Sequence, residues 1–405
     1  MVIARRLDCP SAYNIVSVDP SAVIVDGSRL CATVDCSPSV LVSEEISNAL
    51  FVSGGWAITG RVNISRSVAT AHKHGGVTMR VLIVGGSGYL GQFLLKYLLE
   101  RPEDDVIAVG YTYADENAGP IDHPLTKIDR CRAFRVDAAT GEGMDACVRA
   151  MAPLDLVVNC AAMSSPGKCE KEAELAMNLN VPTHLCRTLL EHNQKSEAIA
   201  PLLVHLSTDQ VYDGESPNSV EDVNAPSPVN TYGRSKLNAE LHIAENYVAG
   251  RHVSLRSSII TGSQPPLRPV SRPLFHDFIV NSLKGDEAVT FFEDEYRCPI
   301  AAVDIVAHIV ALSKLAGKDA KTDWLMRYNM GGPDRLSRVD MARQTAEVLG
   351  VSDANVEAVS SASVDRGVIS PADISMLSNK LNSLTLVSPM GWKDQMRLAL
   401  GMAKM

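Results

Sequence analysis

The chain has 405 residues, 46% hydrophobic and 21% charged, with a formal net charge of -9 and a pI of about 5.6. That composition supplies a large core, and an acidic balance with no block of Lys or Arg argues against nucleic acid or an anionic membrane as partner. No apolar run is long enough to cross a bilayer, no apolar stretch follows "MVIARR" as a secretory signal requires, and nine cysteines without a Cys-x-x-Cys pair read as reduced thiols of a cytoplasmic protein, with neither a disulfide framework nor a metal site.

Residues 1–78 mix short Val/Ile runs with Ser, Gly and Asp and show no sustained periodicity, so they read as a poorly ordered N-terminal extension, with a small added subdomain as the alternative. Asp8, Asp19, Asp26, Asp35, Glu44 and Glu45 argue against an organellar transit peptide. At Met79 the pattern changes, and Met79 is expected to be the functional start.

From there, β-branched runs alternate with helical spacing. Strands are expected at "VLIVGG" (81–86), "DVIAVGYTY" (105–113), "AFRVDA" (133–138), "LDLVVNCAA" (154–162), "PLLVHLSTD" (201–209) and "VSLRSSII" (253–260). Helices are expected at 93–100, 168–193 and 230–248. Continuous apolar strands alternating with helices indicate an α/β fold, a doubly wound parallel sheet of Rossmann type covering 79–260. Beyond 260 the alternation fades. "QPPLRPVSRP" (264–273) reads as a crossing into a smaller C-terminal α/β substrate lobe, 261–405, with helices near 303–316, 337–349 and 391–403 and some return of chain to the Rossmann sheet.

Three constellations carry chemistry. "GGSGYLG" joins the first strand to the first helix, which makes Gly85, Ser87, Gly88, Tyr89, Leu90 and Gly91 candidate cofactor-binding residues. Glycines there allow a tight turn and close approach of a pyrophosphate, and the helix N-terminus offers N–H groups and positive dipole. The same spacing also serves any tight strand-to-helix turn.

The tip of strand two is Gly110-Tyr111-Thr112, with Asp115 and Glu116 too late to accept from a ribose 2′-OH. The missing acid favours NADP(H) over NAD(H). Asp137, with Ala138 beside it, either meets the adenine or only caps the next helix.

The third constellation is "HLSTDQVYDG" with "NTYGRSKLNAEL". Thr208 closes strand five, where open α/β sheets bind ligands. Tyr232 and Lys236, four residues apart on a helix, share a face. A neighbouring ammonium stabilises the phenolate and lowers the Tyr pKa from near 10, so the phenol can donate a proton to a developing alkoxide. The bland reading of the same pair is a solvated Tyr/Lys couple worth a few tenths of a kcal/mol.

With these motifs in place, the chain from Met79 onward resembles an extended short-chain dehydrogenase/reductase. Within that class it is similar to the dTDP-4-dehydrorhamnose reductase group, through "GGSGYLG", "VVNCAAMSSPGKCEKE", "STDQVYDG", "SPVNTYGRSKL", "LRSSIITG", "DEYRCPI" and "GGPDRLSR". The resemblance implies Thr208, Tyr232 and Lys236 as catalytic triad. It further implies Ala161, Ala162 and Met163 against the nicotinamide ribose, and Ser258 as a further cofactor contact. Lys168, Asp209 and Gln210 are the implied substrate contacts, Lys168 being equally readable as a solvated Lys at a helix start.

Two departures narrow the reading. Sugar 4,6-dehydratases carry Asp-Glu after Ser-Thr, where this chain has Asp209-Gln210, and an amide cannot exchange that proton. The sugar reductases place an aromatic after Arg-x-Ser of strand six, where this chain has Ile259. The expected function is reduction of a keto group, on a nucleotide-linked sugar, by NAD(P)H. The alternative is the regulatory beta subunit of methionine adenosyltransferase, which the same group includes and which binds cofactor without needing turnover. Candidate partners are accordingly a small-molecule substrate, a methionine adenosyltransferase catalytic subunit, or a second copy in a homodimer.

Overall fold

A computed structural model describes residues 79–405 apart from 104, 115–118, 197–198, 248–250, 272, 286, 317–325 and 403–405. The chain divides into two compact units, 1–74 and 75–405. In the first, the backbone of three antiparallel strand pairs is described: β1 (Val2–Arg6) with β2 (Tyr13–Ser17), β3 (Val23–Asp26) with β4 (Arg29–Ala32), and β5 (Leu50–Val52) with β6 (Trp56–Ile58). The expectation of a poorly ordered extension otherwise falls on residues outside those described.

The second unit opens with β7 (Met79–Val84), α1 (Tyr89–Leu99), β8 (Val106–Tyr113), β9 (Cys131–Arg135), α2 (Met144–Met151) and β10 (Leu156–Asn159). Then come α3 (Pro166–Lys171), α4 (Ala173–Asn180), α5 (Thr183–Ser196), β11 (Leu202–Thr208), α6 (Thr231–Asn246) and β12 (His252–Ser257). The helical pattern expected over 168–193 resolves into three helices. Pro182, which has no N–H to donate, separates α4 from α5.

After β12 the chain forms β13 (Ile260–Thr261), α7 (Phe275–Leu283), β14 (Val289–Phe292), β15 (Tyr296–Arg297), β16 (Ile300–Ala301), α8 (Ala302–Ala316) and β17 (Arg327–Met330). It ends with β18 (Leu336–Ser337), α9 (Arg338–Leu349), β19 (Val356–Val359), α10 (Asn379–Thr385) and α11 (Trp392–Ala399).

One seven-stranded sheet, ordered β17-β12-β11-β10-β7-β8-β9, is parallel throughout. This is a Rossmann sheet. The period-two geometry of a strand sends Val81 and Ile83 of β7 into a layer with α1 and α8, and Leu82 and Val84 into the opposite layer with α2 and α5. All four are essentially inaccessible. Burial on both faces explains the unbroken apolar run, each such side chain contributing roughly 1.5–3 kcal/mol.

A separate core holds α7, α9 and α11 together around Trp392, whose Nε1 donates to Met341 O at 3.0 Å. Short pairs, β13 with β16 and β15 with β18, lead the chain between that core and the sheet. Strand order reverses between β7 and β10, so their C-terminal ends open a crevice of the kind in which α/β sheets hold ligands.

Candidate active site

A cavity of about 1020 Å³ occupies this crevice. One end is the glycine turn. Gly85 has φ +76°, and a Cβ there would lie 2.7 Å from Ala161 N. A Cβ on Gly91 would lie 2.6 Å from Gly85 O. Both positions therefore require glycine for close packing, the first for its backbone as well. Gly85 N donates to Thr112 Oγ1 at 2.8 Å, which ties the turn to β8. Gly88 caps α1 without any side-chain bond, and Ser87, Gly88, Tyr89 and Leu90 line the cavity. The first N–H groups of α1 are thus left for a ligand, the arrangement that suits a pyrophosphate.

At the centre stand the residues expected to be catalytic. Thr208 ends β11, and Tyr232 and Lys236 project from α6 into the same cavity. The start of α6 is fixed by Asn230, whose Oδ1 accepts from Gly233 N at 2.8 Å and whose Nδ2 donates to Gln210 Oε1 at 2.9 Å and Ile369 O at 3.0 Å. A Cβ on Gly233 would lie 2.1 Å from Gln210 O, so a glycine inside the helix is the condition for this close docking. The Tyr232 ring packs with Met163, Cys169 and Ala176.

Lys236 is 2% exposed. Burial lowers its pKa to about 8, with Cys160 and Glu240 partly opposing the shift. Glu240, one turn on, accepts from Ser207 Oγ at 2.5 Å and forms a buried pair with Arg256, Nη2 to Oε2 at 2.7 Å. That pair clamps α6 to β11 and β12.

Thr208 Oγ1 donates to Asp209 Oδ1 at 3.1 Å and accepts from Gln210 N at 3.2 Å. Asp209 Oδ2 accepts from Ser258 Oγ at 2.8 Å. Burial raises the Asp209 pKa, and Arg297 and Arg338 oppose it.

The other candidates separate. Ala162, Asp209, Gln210, Ser258 and Ile259 line the cavity. Ala161 instead backs Gly85, and Met163 supports Tyr232. Asp137 and Ala138 are not among the lining residues; Asp137 Oδ1 accepts from Ala139 N at 2.8 Å and Thr140 N at 3.2 Å, a cap on the turn after β9. Lys168 is exposed on α3, 3.9 Å from Glu172, and does not line the cavity although its neighbours Pro166 and Gly167 do.

The far end of the cavity holds residues the sequence reading did not single out. Glu295, 1% exposed, is surrounded by three guanidinium groups: Arg366 at 2.5 Å, Arg338 at 3.6 Å and Arg297 at 3.8 Å. Burial pushes the Glu295 pKa up, and the three arginines more than offset it and hold the group ionised. Burial together with Arg297 lowers Arg338 to about 10. Three guanidinium groups against Glu295 and Asp209 leave this end cationic. The only sequence signal was that Arg297 lies in "DEYRCPI" and Arg338 closes "GGPDRLSR". Among the described residues no group of His, Cys, Asp or Glu could hold a metal ion, and no helix is long and apolar enough to cross a membrane.

A parallel Rossmann sheet with a glycine turn, a strand-end Thr and a Tyr-x-x-x-Lys helix meeting in one crevice defines an extended short-chain dehydrogenase/reductase architecture. Residues 79–404 match the RmlD substrate binding domain, and the chain belongs to that family. It is 26% identical over 307 residues to methionine adenosyltransferase 2 subunit beta of Danio rerio, covering 76% of this chain and 85% of that one. It is 27% identical over 242 residues to dTDP-4-dehydrorhamnose reductase of Salmonella typhimurium, covering 58% and 69%. A crystal structure of dTDP-4-dehydrorhamnose reductase from Bacillus anthracis in complex with NADP aligns over 80% of this chain and 100% of that chain, with TM-score 0.62 at 19% identity.

Proposed function

We propose that this chain is an NAD(P)H-dependent reductase that converts a keto group of a nucleotide-linked sugar to an alcohol. The observation that carries the reading is the order of groups along one cavity: glycine turn, Thr208-Tyr232-Lys236, guanidinium cluster. The residues suit a dinucleotide. Gly88 has only Gly85 O within 3.2 Å of a would-be Cβ, which leaves its outer face open toward the cavity, and Lys236 sits within reach of whatever fills the crevice.

Bound there, the nicotinamide supplies hydride. Tyr232 delivers the proton to the nascent alkoxide, and the ammonium of Lys236 makes that phenol a stronger acid. Thr208 Oγ1, whose single O–H donates to Asp209 in this structure, would turn that proton to the carbonyl oxygen of the substrate while still accepting from Gln210 N. Arg297, Arg338 and Arg366 supply the charge that a diphosphate-linked substrate needs. The β8 tip, Tyr111-Thr112 without an acid, supports NADP(H) over NAD(H).

A second reading is a cofactor-binding regulatory subunit of methionine adenosyltransferase. The Danio rerio relative and the aliphatic Ile259 in the cavity wall favour it. One experiment separates the two: NADPH oxidation against a panel of nucleotide keto-sugars, beside capture of a methionine adenosyltransferase catalytic subunit. Oxidation that disappears in Tyr232→Phe eliminates the regulator. Silence across the panel with a captured synthetase eliminates the reductase.

A further inference from the structure

The tip of β8 offers neither an acid for a ribose 2′-OH nor a base for a 2′-phosphate, yet the fold brings a cation, Arg268, to Gly119 in the segment that follows it, 149 residues away along the chain. Within the Pro-rich segment, Arg268, Pro269, Val270, Ser271 and Pro273 line one wall of the cavity, the same space as Ser87 and Gly88 of the glycine turn.

This strap is tied to α1 by one buried side chain. Gln92, fully inaccessible, donates Nε2 to Ser87 O at 3.0 Å, and its Oε1 accepts from Leu267 N at 3.1 Å and Arg268 N at 2.8 Å. The Tyr89 hydroxyl adds a bond to Ser263 O at 2.9 Å. The glycine turn and the strap are therefore fixed to each other through a single helix turn, and the Arg268 backbone has a defined position over the cofactor end.

The Arg268 side chain then reaches the segment that follows β8. Its Nη1 donates to Gly119 O at 2.9 Å. The Tyr111 phenol, which accepts from Ile121 N at 2.8 Å, lies near enough to feel the Arg268 charge. Arg268 thus stands between the glycine turn and the β8 tip, the place where a Rossmann fold sets the adenosine ribose. The pyrophosphate has its own donors in the N-terminus of α1.

We infer that Arg268, carried on the Pro-rich strap, recognises the 2′-phosphate of NADP(H) and sets the choice of cofactor. The inference rests on the dinucleotide reading above. A guanidinium fork can donate two parallel N–H bonds to the oxygens of a phosphate, whereas a ribose 2′-OH gains little from it. Placing the determinant on the strap also explains why nothing basic was found at the β8 tip.

The test is binding, not turnover. NADPH and NADH are titrated by fluorescence into the full chain, the Arg268→Gln variant and the Arg268→Lys variant, with thermal melting to follow folding. Loss of a charged hydrogen-bonding partner predicts NADPH binding weaker by roughly ten- to a hundredfold in Arg268→Gln. NADH affinity is unchanged, and Arg268→Lys falls between. In the unmodified chain, adenosine 2′,5′-bisphosphate competes with NADPH far better than adenosine 5′-monophosphate does. Equal loss of both dinucleotides in a folded variant, no loss of either, or equal competition by the two adenosine probes overturns the inference. An unmodified chain that binds neither dinucleotide overturns the cofactor reading itself, a result distinct from lost selectivity.

Discussion

The two ends of the cavity are built on different principles. The cofactor end is made of backbone: a contiguous stretch, Gly85–Gly91, in which glycines let the turn lie against Ala161 and open the α1 N–H groups. The far end is made of side chains: Arg297, Arg338 and Arg366 come from separate parts of the C-terminal lobe and converge on buried Glu295. A backbone site is written in consecutive residues and resists change. A side-chain site is assembled by tertiary packing, and any one of its members can be exchanged.

The sharpest test lies between the two ends. Tyr232→Phe removes the proposed proton donor and retains the ring that packs on Met163 and Cys169. Turnover of a reducible keto-sugar is expected to fall about a hundred- to ten-thousand-fold, with NADPH affinity, measured by fluorescence titration, unchanged.

Next, Arg338→Met removes one guanidinium group from the far end. It is expected to raise the Michaelis constant for a diphosphate-linked substrate by roughly ten- to a hundredfold and to leave cofactor affinity alone. A parallel loss of cofactor affinity would show that the two ends are not independent.

The mirror experiment is Gly88→Asp, which sets a carboxylate at the N-terminus of α1, where the proposed function puts the pyrophosphate. Cofactor affinity is expected to weaken by about tenfold or more in a variant whose melting curve is intact. The far end, read by binding of the substrate's nucleoside diphosphate alone, is expected to be unaffected.

The smallest effect is graded. Lys236 titrates near 8 and is charged below that value. The rate constant at limiting substrate is therefore expected to hold level well below pH 8 and to fall through about pH 8, where half of Lys236 has lost its proton. Lys236→Met is expected to start lower and to lack that alkaline limb, which a pH profile of both proteins checks.

How much could be read from the sequence follows from the same contrast. β7, the glycine turn, Thr208 and the Tyr232/Lys236 pair are local patterns, each legible within a dozen residues. The single helical pattern over 168–193 was cut by Pro182, whose effect on the backbone outweighs periodicity. For Asp137 the plain reading was a cap on the next helix, but α2 is capped by Gly143, and Asp137 instead holds the 137–140 turn by accepting from Ala139 N and Thr140 N. Lys168 was placed by its neighbourhood in the chain, but α3 turns its side chain toward Glu172 and solvent. Arg297, Arg338 and Arg366 were not legible as a cluster, because it takes the pairing of β15 with β18 and the bonds from Arg297 to Pro371 O and Ala372 O to bring their three segments together.

The burial of Lys236 has a consequence for chemical reagents. An ordinary lysine, near 10.5, is almost wholly protonated at neutral pH and reacts slowly with acylating or carbonyl probes. Lys236, near 8, presents a substantial share of free amine under the same conditions, at the wall of a cavity large enough to admit a small planar electrophile. A small aldehyde followed by borohydride will therefore mark this amine ahead of the surface lysines. Bound dinucleotide will shield it, so the protected residue can be read directly by peptide mass mapping without any knowledge of the substrate.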